Sequence, residues 1–233
     1  MAEAVLIRPE GLVPYPVAYD LMHELAGRRL RQEIPDTLIL LQHPPVYTAG
    51  RRWDRTHLRW TEEAMRAAGA EFHVVDRGGS VTFHGPGQLV GYSIIDLGPT
   101  PDVVGYVRKL EEVVMAASAD AGIPGLSRNP INSGVWAGDR KVCAVGVRVA
   151  RARVTLHGFA VNCTTDLSWY DAIVPCGLAE QGVTSLTRLA GREVAVEEMD
   201  PLVIGRFARV FELDFGSDGA VARFATAGAA TAR

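Results

Sequence analysis

Between Arg77 and Gly91 the chain places five glycines and one proline among Val81, Phe83, Leu89 and Val90. Strand-forming side chains thus alternate with residues that add nothing to packing, and a plain strand pair is weakened by such a density of glycine. Backbone in this stretch is therefore expected to turn tightly or to approach something closely. The run Arg77-Gly78-Gly79-Ser80-Val81-Thr82-Phe83-His84-Gly85-Pro86-Gly87-Gln88 is neither a dinucleotide fingerprint nor a P-loop, because no Gly-Lys-Ser/Thr follows its glycines. Arg77 offers a fixed cation, and Val81 and Phe83 alternate onto one apolar strand face. Taken alone, these residues allow either a bulged hairpin with a core histidine at His84 or a wall against which a ligand lies.

The rest of the chain alternates strand-like and helix-like segments. The pattern predicts a strand over 4–8, then a helix opened by Pro16 with Val17, Leu21, Met22, Leu25 and Leu30 on one face and Pro35 beyond its end. A buried strand follows at 38–41, and 43–50, with two prolines and a glycine, reads as a loop leading into Arg51, Arg52, Arg55 and Arg59. A short helix over 61–68, closed by Gly69, precedes a strand over 71–76. Thr100 and Pro101 open a helix carrying Val104, Val107, Leu110, Val114 and Met115, which Gly122 ends. Two β-rich runs over 135–149 flank the turn dipeptide Gly138-Asp139, so Lys141 stands at the start of a hairpin's second strand. Another strand covers 154–161, and helices are expected over 179–189 and 196–210. No linker divides the chain: a single catalytic domain over 1–215 is expected, with 216–233, rich in alanine, as a weakly ordered tail.

Composition excludes several classes. Lys and Arg number 24 against 27 Asp and Glu, a net charge of −3 that gives nucleic acid no broad basic face. The apolar run 38–41 is far too short to span a bilayer, and the Met1-Ala2-Glu3-Ala4-Val5 start lacks the order of a secretory signal, so a cytoplasmic protein is expected. Three cysteines and no Cys-x-x-Cys make neither a disulfide framework nor a structural zinc site. Cys143, inside a strand, reads as an inert hydrophobe, and Cys163 is undecided. Cys176 stands between Pro175 and Gly177 in a segment poor in other polar groups. Its sulfur is uncrowded, and a helix starting soon afterwards would favour thiolate. Both an inert and a nucleophilic reading of Cys176 remain. Lys141 is either a solvated strand end or, close to a cysteine, an ammonium that stabilises thiolate and returns a proton to a leaving group. His157 is either tied to backbone at a strand or paired with a cysteine, and Gly158 and Ala160 beside it leave room for a ligand.

In combination, these segments resemble the octanoyltransferases of lipoate biosynthesis. The resemblance rests on His43-Pro44-Pro45-Val46-Tyr47-Thr48-Ala49-Gly50, Arg77-Gly78-Gly79 through His84-Gly85-Pro86-Gly87-Gln88-Leu89, and Ser133-Gly134-Val135-Trp136. It is extended by Lys141 leading to Gly146-Val147-Arg148, by His157-Gly158-Phe159-Ala160-Val161-Asn162, and by Val174-Pro175-Cys176-Gly177. It implies an α+β domain on the α/β scaffold shared with biotin and lipoate protein ligase catalytic domains, a mixed, largely antiparallel sheet flanked by helices. It implies that Cys176 carries the octanoyl group as a thioester and that Lys141 lowers the pKa of that cysteine. Residues Arg77, Gly78, Gly79, Ser80, Val81, Thr82, Phe83 and His84, with Ala144, Val145, Gly146, Gly158, Phe159 and Ala160, would line the acyl site, and His157 and Asn162 would support it.

The implied donor is octanoyl-acyl carrier protein, so the first step exchanges one thioester for another and needs neither ATP nor a metal. The implied acceptors are lipoyl domains of 2-oxoacid dehydrogenase complexes and the glycine cleavage H protein, reached by a monomeric enzyme without nucleic acid or membrane partners. The rival readings are an ATP-dependent lipoate or biotin ligase, a hydrolase pairing Cys176 with His157, and a regulator that binds an acyl carrier without turnover.

Overall fold

The computed structural model describes residues 1–130, 132–174 and 182–216. Eleven strands are described: β1 (Ala2–Ile7), β2 (Asp36–Leu41), β3 (Val46–Ala49), β4 (Glu71–Val74), β5 (Val81–His84), β6 (Gln88–Ile94), β7 (Ser127–Arg128), β8 (Gly134–Ala137), β9 (Arg140–Ala150), β10 (Val154–Asn162) and β11 (Leu213–Asp214). Five α-helices accompany them: α1 (Tyr15–Leu30), α2 (Glu62–Ala67), α3 (Val103–Asp120), α4 (Leu186–Ala190) and α5 (Val196–Phe211). Eight strands form one sheet in the order β11-β1-β2-β6-β10-β9-β8-β7, and β4-β3-β5 form a second. In the large sheet β1 runs parallel to β11 and β2 while the other pairs are antiparallel, which is the mixed, largely antiparallel α+β arrangement expected. No helix among the described residues is long and apolar enough to cross a membrane.

Strand alternation divides the interior in two. Leu38 and Leu40 of β2, Leu89 of β6, and Phe159 and Val161 of β10 face α3 and α5, meeting Leu110, Val114, Met199, Val203 and Phe207. Ile39, Leu41, Val90, Tyr92, Leu156 and Ala160 point the other way, toward Ala18, Met22 and Leu25 of α1. Each large apolar side chain so buried contributes roughly 1.5–3 kcal/mol. The small sheet has its own core, in which Tyr47, Val81 and Phe83 pack on Met65 and on the 3₁₀ turn over Leu167–Ala172.

Several local expectations change. Helix α1 buries Tyr15, Ala18, Met22, Leu25 and Ala26, whereas Val17 is 51% exposed, because the inward stripe runs through Ala18 and its i+4 and i+7 neighbours. The cap of α3 is Asp102, not Thr100: its carboxylate accepts from the Gly105 N–H at 2.8 Å. The segment 43–50 is not all loop, since β3 begins at Val46, directly after the prolines that mask it, and pairs with both β4 and β5. The hairpin at Gly138-Asp139 forms where expected, with Gly138 at φ +62°. The expected helix over 179–189 begins outside the described residues; within them 182–185 are not helical, and α4 starts at Leu186, capped by Ser185. Residues 217–233, most of the expected tail, lie outside the described residues.

Candidate active site

The antiparallel register puts Ala144 opposite Ala160 and Gly146 opposite Gly158. Two alanines and two glycines therefore meet at the centre of the sheet, and a cavity of about 300 Å³ lies over them. The Arg77–Ser80 loop forms the facing wall, drawn down by the Gly78 N–H donating to the Val147 carbonyl at 2.9 Å. The approach is close: a Cβ on Gly146 would lie 3.2 Å from the Gly78 carbonyl of this loop, and glycine is required at 158, where a Cβ would come within 2.2 Å of the Gly91 carbonyl on β6. Further in, Val90, Tyr92 and Tyr15 complete the lining.

Lys141 borders the same cavity and is itself buried. Its Nζ lies 4.7 Å from the Trp136 ring centroid, a cation–π contact. Its stem passes Gly134, where φ is +133° and a Cβ would come within 2.4 Å of the Cys143 carbonyl. Glu111, fully buried on α3, fixes that glycine by accepting its N–H at 2.9 Å while pairing with Arg108. The Lys141 backbone is held from the other side: its N–H donates to Gly182, and its carbonyl accepts from Thr184.

A chain of side chains leads from the cavity to that brace. His84 lines the cavity, and its Nδ1 donates to Gln88 Oε1 at 2.8 Å. The Gln88 amide donates to Asn162 Oδ1, and Asn162 Nδ2 donates to the Thr184 carbonyl at 3.0 Å. Burial, reinforced by neighbouring His43, pushes His84 down to about 3, so the imidazole is neutral. His43, pushed down by burial to about 4, donates from Nδ1 to the Val13 carbonyl and accepts from the Tyr92 hydroxyl.

Arg77 is likewise engaged. Its guanidinium donates to the Thr48 and Ser80 carbonyls, the latter at 2.8 Å, and to Thr48 Oγ1, fastening the glycine loop to β3. The backbone of this loop continues the stitching, with Arg51 donating to the Arg77 carbonyl and Arg52 to that of Gly79. At the rim, Ser80 Oγ lies 2.8 Å from His57 Nδ1, which also accepts the Asp54 N–H. An amide can only donate, so Nδ1 carries the lone pair, the Ser80 hydroxyl donates, and the ring proton sits on Nε2.

On the opposite wall His157, at φ +62°, donates from Nε2 to Asp76 at 2.7 Å. Its Nε2 is thus tied to a carboxylate, not to backbone or to a cysteine among the described residues, while its backbone N–H donates to the Met22 sulfur. Arg148 holds the other Asp76 oxygen, and His23 approaches it at 3.4 Å. His23, Asp76 and His157 bring potential metal-ligating atoms within 4.8 Å of one another, with the Arg148 guanidinium already seated on the shared carboxylate. Burial first, then the charges of Arg77, His23 and Arg148, depress His157 well below the ordinary imidazole value.

The structure brings Arg77, Gly78, Gly79, Ser80, Val81, Thr82, His84, Lys141, Ala144, Val145, Gly146, His157, Gly158, Phe159 and Ala160 around one cavity. Phe83 is not in the lining: its ring stacks on Trp169 at 5.3 Å inside the core of the small sheet, because strand alternation turns it away from His84. Asn162 also stands behind the wall, in the chain just described. The side chains of Val145 and Phe159 belong to the core under α3 and α5, so what they lend the cavity is backbone. Cys176 lies outside the described residues, whose nearest members are anchored at the cavity: Val174 donates to the His57 carbonyl, and Gly182 accepts from Lys141. Cys143 and Cys163 are buried and free, with both thiols pushed up by burial, Cys163 to about 12. Tyr15, Tyr92, Arg52, His57, Asn132 and Ser133 line the cavity without having been singled out as site residues, although Ser133 stood within one of the motifs.

Residues 14–208 match the model of the lipoyl protein ligase A/B catalytic domain. In fold, the chain superposes on a bipartite lipoate protein ligase of Thermoplasma acidophilum with a TM-score of 0.73 at 17% identity, covering 93% of this chain and 86% of that one. A biotin protein ligase of Aquifex aeolicus gives 0.51 at 12% identity, covering 91% and 70%. The class is thus an α+β catalytic domain on the scaffold of lipoate and biotin ligases. The octanoyltransferase of Rubrobacter xylanophilus is 50% identical over 204 residues, 87% of this chain and 91% of the relative. The chain belongs to the lipoyl protein ligase A/B family, among the octanoyltransferases.

Proposed function

We propose that this acyltransferase moves an octanoyl or lipoyl group from acyl carrier protein to a lysine ε-amine on a lipoyl domain, through a thioester on Cys176. One observation carries the reading. The cavity floored by Gly146, Gly158 and Ala160 runs to buried Lys141, and the described residues on either side of the segment holding Cys176 are bonded to His57 and Lys141 of that cavity. An acyl tail against small apolar residues gains ~0.8 kcal/mol per buried methylene, which makes chain-length choice a matter of cavity depth.

The proton inventory closes over two steps. The Cys176 thiolate, paired with the Lys141 ammonium, attacks the donor carbonyl carbon, and the carbon–sulfur bond to the pantetheine arm breaks. The Lys141 ammonium protonates the departing pantetheine thiolate and is left neutral. In the second step the acceptor amine attacks the acyl-enzyme, Lys141 receives the amine's proton, and Cys176 leaves as thiolate beside the new ammonium. The donor arrives as a thioester, so the scheme draws on neither ATP nor a metal. The acceptors we assign are the lipoyl domains of 2-oxoacid dehydrogenase complexes and the glycine cleavage H protein.

Intact-mass measurement after mixing the protein with octanoyl-acyl carrier protein, without ATP or acceptor, tests this. The expected product is an octanoyl adduct on Cys176 that hydroxylamine releases, absent from Cys176→Ser, whose turnover falls by at least ~10³-fold. Acylation of a lipoyl domain only when ATP and free octanoate are supplied would replace the scheme with a ligase. Lys141→Arg keeps a positive charge without a transferable proton near neutrality, and turnover should fall about 10²–10⁴-fold.

A further inference from the structure

We infer that the arginine segment 51–59 is the docking surface for an acidic face of the protein that delivers the acyl group. The inference rests on the transfer reading above and adds a partner surface to it. Arg51, Arg52, Arg55 and Arg59 are all exposed, in a chain whose net charge is −3, so this basic strip is local rather than a sample of a basic surface. None of the four makes an ion pair among the described residues, whereas Arg29, Arg108, Arg128, Arg153, Arg192 and Arg206 each pair with a carboxylate. The one acid within the strip, Asp54, is turned to its own chain, accepting the Thr56 N–H at 2.9 Å.

The backbone beneath these charges is held at the cavity. Arg51 and Arg52 donate to the Arg77 and Gly79 carbonyls of the glycine loop, and Arg59 donates to the Ala172 carbonyl. Leu58 bridges Ile173, two residues of chain before Pro175. Four guanidiniums outside any ion pair among the described residues, with only the charge of Glu63 reaching Arg55, thus stand on a fixed base between the cavity rim and the chain leading to Cys176. Beside them Trp60 is 40% exposed, a rigid amphipathic surface of the kind that anchors protein contacts. Charge distinguishes the two macromolecular substrates. The acceptor must bring a lysine amine to the cavity, which a cationic rim repels while the amine is protonated, whereas the donor tethers its acyl group through a phosphodiester, which the rim attracts.

The test compares half-reactions in the full chain carrying Arg51→Glu, Arg55→Glu and Arg59→Glu, with cavity-lining Arg52 left in place. Acylation from octanoyl-acyl carrier protein should slow about 10–100-fold and lose most of its dependence on salt. Acylation from octanoyl-pantetheine, which carries no phosphate and no protein, should proceed at the wild-type rate, and so should transfer from the acylated enzyme to a lipoyl domain. Unchanged acylation by the carrier, equal slowing with both donors, or slowing confined to the acceptor half-reaction would overturn the assignment. Adduct formation by the wild-type protein from octanoyl-pantetheine is a separate readout: its absence would remove the thioester scheme itself, whatever the variant does with the carrier.

Discussion

The two faces of β9 and β10 are built from alternate residues of the same eight-residue register and do opposite things. On one, Cys143, Val145, Phe159 and Val161 pack under α3 and α5. On the other, Ala144, Gly146, Gly158 and Ala160 leave the space that becomes the cavity. Because side chains alternate with period two, a single strand pair holds both a packed core face and the opening, and neither face can be altered by a register slip without exchanging them. The close face is complementary even to the missing side chains: a Cβ on Gly91 would sit 2.2 Å from the tip of the Phe159 ring. The Phe159 ring thus fills the space that the glycine leaves on the packed face.

Substitutions on the two faces should separate stability from selectivity. Phe159→Ala, on the packed face, is expected to cost about 3–5 kcal/mol of unfolding free energy while leaving the preferred acyl length of the folded fraction unchanged. Denaturant unfolding beside a chain-length profile checks this, and a shifted profile would show that the faces are not independent. Ala160→Leu, one residue away on the open face, should exclude two or three methylenes. At ~0.8 kcal/mol each this lowers kcat/KM for octanoyl relative to butyryl donors by about 30-fold. An unchanged ratio would place the acyl tail elsewhere.

A third comparison concerns acid. His84 and His43, held at about 3 and about 4 by burial, belong to the cavity side, whereas Cys143 and Cys163 on the packed side are pushed upward. In the unfolded chain the histidines bind a proton near pH 6.5, and in the folded chain they do not until pH 3–4. The unfolded state therefore holds more protons across that window, and stability falls as pH drops through it, by up to about 1.4 kcal/mol per histidine per pH unit. Urea midpoints taken at about pH 7 and about pH 5 should differ accordingly, and His43→Gln should reduce the difference. Equal midpoints would mean that the two imidazoles are not kept neutral by the fold.

The physics that makes the faces differ also sets what could be read in advance. Periodicity and turn chemistry act within a few residues. The hairpin at Gly138-Asp139, the strands β2 and β10, helix α5 and the glycine loop at 77–80 are accordingly legible in the order of residues. Strand β3 is masked by Pro44 and Pro45, which stand against its first residue, and Val17 falls outside the buried stripe of α1 because periodicity shows which residues are apolar and not which side meets the sheet. His57 gave no signal at all: its place at the rim depends on Ser80, 23 residues away, and on a 3₁₀ turn too short to have a period.

By itself the sequence determined the segments, the small residues that empty one strand face, and the motifs that mark an octanoyltransferase, since each depends on neighbours in the chain. Only the tertiary structure decided that Arg77 clamps β3 to the loop, that His157 answers to Asp76 rather than to a cysteine, that Phe83 turns into a satellite core, and that four arginines remain unpaired beside the cavity among the described residues. The partners that set the first three outcomes lie 29 to 86 residues apart in sequence, and a contact across such a distance leaves no periodic trace in the chain that makes it.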